Sequence, residues 1–225
     1  MYSIFLSQIE VVIDKIKDEL RPLIKKNAKT VILPWGFPIE LNAEKLENEF
    51  FKKGEKRYQR YIDSLEKIGI NEENITIGNC YKDSKDYLKK LINNADILVL
   101  PGGNPEMFYS KVVQECEILY EIKHFKGIII GESAGAELQL KRYFITAKNN
   151  YYKYFAFYDG FGVIDDHFFI DVHSINNKLY LNKLQNIATA KKKTVYAIYN
   201  DGAIIYNRKN NQIRLLGNVE TFNSK

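Results

Sequence analysis

The chain has 225 residues, 45% apolar, 13% aromatic and 27% charged, which excludes a disordered or collagen-like protein and is ample for one α/β domain spanning 1–225. Its 33 Lys and Arg exceed 28 Asp and Glu by a net +5, with lysines interspersed among acids, so the charge reads as solvated surface and not as a nucleic-acid footprint. No apolar run nears the roughly 18 residues of a membrane span. The first residues lack the basic start of a signal peptide, and Cys80 and Cys116 are too few for a disulfide framework. These features predict a cytoplasmic protein with no membrane or nucleic-acid partner.

Strands and helices alternate through the first half. Ser3–Ser7 reads as a strand, and Ile9–Lys26 as a helix with Ile9, Val12, Ile13, Ile16, Leu20, Leu23 and Ile24 on one stripe. Thr30–Leu33 is a β-branched strand stopped by Pro34, and 35–38 a loop. Ala43–Ile68 is a long helix with a break near Gly54. Ile75–Ile77 is a strand, Asp83–Asn93 a helix and Asp96–Leu100 a strand that is continuously apolar after its first residue. Asn104 is a natural N-cap, with Pro105 in first helical position, for a helix over 106–122. Gly127–Ile130 is again wholly apolar. Such strands between helices predict a parallel sheet covered on both faces.

Beyond Gly131 the pattern changes. Ala134–Leu140 can begin a helix. Tyr151–Tyr158 is an aromatic-rich loop or edge strand, suited to packing, to a lid, or to self-association as a homodimer. Phe168–Val172 is β-like and Asn177–Ala190 helical. Thr194–Tyr199, Ala203–Tyr206 and Gln212–Leu216 are short strands, the last two forming a hairpin.

Gly131-Glu132-Ser133-Ala134-Gly135 places a serine between a buried strand and a helix start. This is the context of a nucleophile elbow, where small neighbours let the backbone pass closely and the amides that follow face a developing oxyanion. Ser133 is therefore the expected nucleophile. A second glycine turn, Gly102-Gly103-Asn104, follows the other apolar strand. Both turns lie at carboxyl ends of strands, where α/β sheets place their sites. Gly102 or Gly103 can complete an oxyanion hole with the Ala134 amide.

A serine nucleophile needs a base, normally histidine. His124 ends a helix at the wrong end of the sheet. His167 is the expected base and His173 its rival. Asp201, beside Gly202 at a strand end, is the expected orienting acid, with Asp165, Asp166 and Asp171 as alternates.

These segments resemble the peptidase E family of aspartyl dipeptidases and the related cyanophycinases. Leu100-Pro101-Gly102-Gly103-Asn104 is similar to that family's oxyanion loop, and Gly131–Ala136 to its elbow. Ile164-Asp165-Asp166-His167-Phe168 is similar to its histidine segment, and Asn200-Asp201-Gly202 to its acidic segment. The resemblance implies a flavodoxin-like fold of the class I glutamine amidotransferase kind. It also implies peptide-bond hydrolysis through an acyl-enzyme on Ser133, without cofactor or metal. The substrates implied are short peptides with an N-terminal or β-linked aspartate.

The family's dipeptidases carry an arginine just after the histidine, whereas Phe168–Ala190 contains none, Lys178 and Lys183 being its only cations before that point. Substrate preference therefore transfers less well than reaction class. Asn104, Glu132 and Trp35 are candidate substrate contacts, with a solvent-facing carboxylate the preferred alternative for Glu132 and plain packing the alternative for Trp35. Cys116 reads as core and Cys80 as loop. An esterase or acyltransferase using the same residues, and a silent binding protein on the same fold, are the alternative readings.

Overall fold

The computed structural model describes residues 1–36, 43–146, 152 and 154–224. Five parallel strands form the centre of the sheet: β1 (Tyr2–Leu6), β2 (Thr30–Ile32), β3 (Ile75–Ile77), β4 (Ile97–Leu100) and β5 (Ile128–Glu132). Their order is β1-β5-β4-β2-β3. Successive side chains of a strand point to opposite faces. Ile97 and Val99 thus join one core layer, while Leu98 and Leu100 join the other. The continuous apolar runs are strands buried on both sides.

On one face, α1 (Ile9–Leu20) and α3 (Lys56–Glu66) bury Ile9, Ile13, Ile16, Tyr61 and Leu65. Between them in sequence, α2 (Ala43–Leu46) runs into a wide turn ending at Phe51. The other face is covered by α4 (Lys85–Asn93), α5 (Pro105–Ser110), α6 (Leu119–Lys123) and α7 (Ala134–Glu137). The chain then forms a small antiparallel pair, β6 (Arg142–Ile145) with β7 (Ala156–Asp159). Next come β8 (Phe168–Val172), α8 (Lys178–Lys191), β9 (Thr194–Asn207) and β10 (Gln212–Phe222).

Several boundaries differ from the sequence expectation. The 106–122 helix is two pieces, α5 and α6. A wider turn over Lys111–Glu115 and a positive φ of 53° at Glu117 separate them. The helix after Ser133 stops at Glu137. The segments expected as two strands around Asn200 are one long strand, β9, which pairs antiparallel with β10. Phe37, Pro38, Tyr151 and Lys153, parts of an expected loop and of the aromatic run, lie outside the described residues.

The long β9 determines where the site forms. Its second half runs antiparallel to β1, with Leu6 opposite Ala203. Its first half runs parallel to β8, with Val172 opposite Ile198. The carboxyl ends of β1 and β8 therefore converge on the middle of β9 from opposite directions. Ser7 joins them: its hydroxyl donates to the Ile198 carbonyl at 2.8 Å and accepts the His173 amide at 2.9 Å.

Candidate active site

Ser133 stands at the carboxyl end of β5 with φ 50° and ψ −117°, a sparsely populated conformation for a residue with a side chain. Its amide donates to the Leu6 carbonyl at 2.8 Å, which ties the elbow to β1. The turn demands glycine two residues later: a Cβ on Gly135 would overlap the Leu100 carbonyl oxygen of β4. The facing loop has the same requirement. Gly103 has φ +135° and presses on the Gly36 carbonyl, which accepts the Asn104 amide. Ala134 is the first residue of α7, so its N–H is among those a helix leaves without an internal partner.

The histidine at Ser133 is His173, the first residue past β8. Its Nε2 lies 3.0 Å from Ser133 Oγ, and its Nδ1 lies 2.8 Å from Asn200 Oδ1. An amide oxygen only accepts, so Nδ1 carries the proton and Nε2 presents a lone pair to the serine hydroxyl. His173 takes φ 51°, a second strained residue in the same constellation.

Two expected members stand elsewhere. His167 precedes β8 at the opposite, amino end and is exposed. Six residues of strand at about 3.3 Å each separate it by roughly 20 Å from the position of His173. Asp201 is adjacent to Asn200 on β9, and successive strand side chains point to opposite faces. Asn200 therefore turns to His173, whereas Asp201 turns to α1 and pairs with Lys15 at 2.7 Å. That hydrogen bond holds the Asp201 carboxyl below its usual range. Of the alternates, Asp166 lies with His167 and pairs with Lys193 at 3.5 Å. Asp171 is buried and accepts the Tyr180 hydroxyl at 2.6 Å. His124 ends α6, its Nδ1 2.8 Å from the Tyr120 carbonyl.

The signal for His173 was present in the sequence. It follows the strand Phe168–Val172 directly, and sites gather at carboxyl ends of strands. Asn200 carried no such signal, because a neutral amide beside an aspartate does not stand out as an orienter.

The candidate substrate contacts separate as well. Trp35 is wholly buried, donates its indole N–H to the Gly78 carbonyl at 2.9 Å and packs against Phe108. Asn104 caps α5, accepting the Met107 amide at 2.9 Å. Glu132 is 4% exposed and does not face solvent. Its carboxylate accepts the Ile9 amide at 2.9 Å and is hydrogen-bonded by Arg60 and by the Tyr61 hydroxyl. Gln8, the N-cap of α1, makes no side-chain cap, so Glu132 supplies the negative group at that helix start. Burial works against the charge of Arg60, but Tyr61, Glu132 and Glu10 outweigh it and raise its pKa. Burial, then the Glu132 charge, push the Tyr61 phenol far above its usual value.

Ser133 and His173 are shared by two cavities. The larger, about 770 Å³, is walled by Lys56, Arg57 and Arg60 of α3 together with Glu10 and Glu132. The smaller, about 350 Å³, is bordered by Glu137, Thr146, Tyr152 and Asp171. Among the described residues, no group of three or more His, Cys, Asp or Glu is placed to hold a metal ion. None of the described helices is long and apolar enough to cross a membrane.

Comparison with known proteins places this geometry in context. A family model described as peptidase family S51 matches residues 51–215. Two solved structures share the fold. One is a peptidase E candidate from Listeria monocytogenes EGD-e, 19% identical, with a TM-score of 0.63 over 96% of this chain and 98% of the other. The other is a peptidase from an acI-B1 Actinobacterium, 13% identical, with a TM-score of 0.66 over 99% and 94%. Among curated proteins, cobyrinate a,c-diamide synthase of Methanocaldococcus jannaschii is 33% identical over 93 residues, 39% of this chain. The match spans 20% of that protein's length.

Proposed function

Because the chain belongs to peptidase family S51, we propose that it hydrolyses short peptides through an acyl-enzyme formed on Ser133. The observation carrying this reading is the continuous Ser133–His173–Asn200 array at the mouth of two cavities. His173 Nε2 takes the Oγ proton as Ser133 attacks the substrate carbonyl. The resulting oxyanion is met by the Gly103 and Ala134 amides. His173 then passes its proton to the leaving amine, and the C–N bond breaks. Water, deprotonated by the same nitrogen, attacks the acyl-enzyme carbonyl, and the proton returns to Ser133 as the acid leaves. Asn200 holds the tautomer throughout. It brings no negative charge to the imidazolium, so its contribution is orientation.

The substrate follows from the walls. Lys56 and Arg57 give the larger cavity a cationic side, which favours a peptide bearing a carboxylate there, whether an aspartyl side chain or a C-terminus. In this chain that role falls to α3 and not to the segment following the histidine. A cytoplasmic setting is part of the same reading.

The test is a hydrolysis panel of Asp-X and β-aspartyl dipeptides, neutral and basic dipeptides, longer peptides and a simple ester, run on wild type and Ser133→Ala. Cleavage of an acidic dipeptide, abolished by Ser133→Ala, is expected. Ester cleavage alone would favour an esterase, and equal inertness of both proteins would favour a binding protein.

A further inference from the structure

The nucleophile and its base both hold a positive φ, 50° at Ser133 and 51° at His173. Their amides are accepted by consecutive residues at the carboxyl end of β1. The Ser133 amide donates to the Leu6 carbonyl at 2.8 Å, and the His173 amide donates to the Ser7 hydroxyl at 2.9 Å. Ser7 is 1% exposed, and the catalytic scheme above leaves it without a task. Its hydroxyl donates in turn to the Ile198 carbonyl of β9 at 2.8 Å, which also accepts the Ser174 amide at 3.0 Å. The elbow grips the chain on both sides of Ser7: Leu6 is held by the Ser133 amide, and the Ile9 amide donates to Glu132 at 2.9 Å.

We propose that Ser7 is a positioning residue that sets the catalytic histidine against the nucleophile. The ladder between β8 and β9 ends at the pair Val172–Ile198, so the His173 amide lies beyond its last rung. A backbone donor at such a place needs an acceptor from elsewhere, and the Ser7 hydroxyl is that acceptor. A positive φ on a residue with a side chain persists only where its surroundings over-determine it. Here the Ser7 hydroxyl holds the amide of His173, and the Ile198 carbonyl holds the amide that follows. A hydroxyl suits this junction because it donates and accepts at once. Without it, the Ile198 carbonyl keeps the Ser174 amide, so the loss falls on the His173 amide. The backbone there is then free to relax, and Nε2 leaves its place 3.0 Å from Ser133 Oγ. Because Leu6 receives the amide of the nucleophile and Ser7 that of the base, two adjacent residues of β1 fix the spacing of the pair.

The inference rests on the acyl-enzyme reading for its kinetic consequence, but not for its structural one, so two readouts separate them. The first is amide hydrogen exchange by NMR on the free protein. The His173 amide is expected to be protected in wild type and to exchange at least about tenfold faster in Ser7→Ala, while the Ser133 amide, held by the Leu6 carbonyl, keeps its protection. The second is steady-state kinetics on a peptide whose cleavage requires Ser133. Ser7→Ala is expected to lower kcat about 10- to 100-fold with KM changed less than about twofold, because a displaced base harms proton transfer and leaves substrate binding intact. Ser7→Thr keeps the hydroxyl, and in it His173 protection and kcat are expected to recover together, with thermal unfolding confirming that each variant is folded. Unchanged His173 exchange in Ser7→Ala would overturn the proposal whatever the activity, and so would equal loss of protection at Ser133, which would mean a general loosening. Normal kcat with faster His173 exchange, or a rise in KM alone, would refute the role in placing the base. If wild type cleaves no peptide, the peptidase reading fails while the exchange experiment still decides whether Ser7 holds His173.

Discussion

Asn200 and Asp201 are neighbours on one strand, yet the structure gives them opposite consequences. Asn200→Ala removes the acceptor 2.8 Å from His173 Nδ1. A neutral hydrogen bond contributes about 0.5–1.5 kcal/mol net, and this one also selects the tautomer whose Nε2 faces Ser133. Its loss should lower kcat/KM about 10- to 100-fold, equivalent to about 1.4–2.7 kcal/mol of transition-state stabilisation. Asp201→Ala removes only an ion pair with Lys15 whose side chains are 34% and 53% exposed. Such pairs are worth about 0–1 kcal/mol of stability, and the catalytic rate should stay within about twofold of wild type. The assay is kcat/KM on one Ser133-dependent peptide, with thermal unfolding run on both variants. If Asp201→Ala loses as much activity as Asn200→Ala while remaining folded, the assignment of Asn200 as the orienting residue is wrong.

Other consequences can be measured alongside. His173→Gln should abolish turnover while His167→Gln leaves it unchanged, and a reversed pattern would sink the placement of the base at the carboxyl end of β8. Gly135→Ala forces a methyl onto the Leu100 carbonyl. It should cost at least about 2 kcal/mol, lowering Tm by about 4–8 °C in differential scanning calorimetry. Asp96 accepts from Lys25 at 2.8 Å and from the Lys29 amide at 3.1 Å, and the Lys25 bond first of all holds its pKa below 3.8. A depressed acid stabilises the fold above its unfolded pKa, and that stability disappears as pH falls through the folded value. Asp96→Asn should therefore be less stable than wild type at pH 7, with the gap in urea midpoints closing below about pH 4. Burial pushes the Cys80 thiol up to about 12 and the Cys116 thiol up to about 11. Iodoacetamide at pH 8 should label both far more slowly than it labels glutathione, and rapid labelling of the native protein would contradict their burial.

How far the site could be read from the sequence varied by residue. Ser133 was legible because its signal is local: an apolar strand, a serine among small residues and a helix start occupy consecutive positions. The Gly102-Gly103 loop was legible for the same reason. So was the layering of the sheet, since Ile97–Leu100 and Gly127–Ile130 can be uniformly apolar only when both faces are covered. Glu132 was singled out, but its burial was not legible, because nothing near it in sequence reveals that Ile9, Arg60 and Tyr61 will surround it.

What the sequence determined by itself was a serine elbow on a parallel α/β sheet facing a glycine loop, because each part is encoded within about ten consecutive residues. Which histidine reaches it, and what holds that histidine, was decided by tertiary structure. β9 continues unbroken through Asn200, Asp201 and Gly202, and so brings the carboxyl ends of β1 and β8 together at its middle. That convergence brings His173 to Ser133 and leaves His167 at the far end of its strand. Strand alternation then sends Asn200 to the imidazole and Asp201 to Lys15. The deciding contacts join residues 40 and 27 positions apart. Separations of that kind are set by strand pairing, which neither the residues nor their immediate neighbours specify.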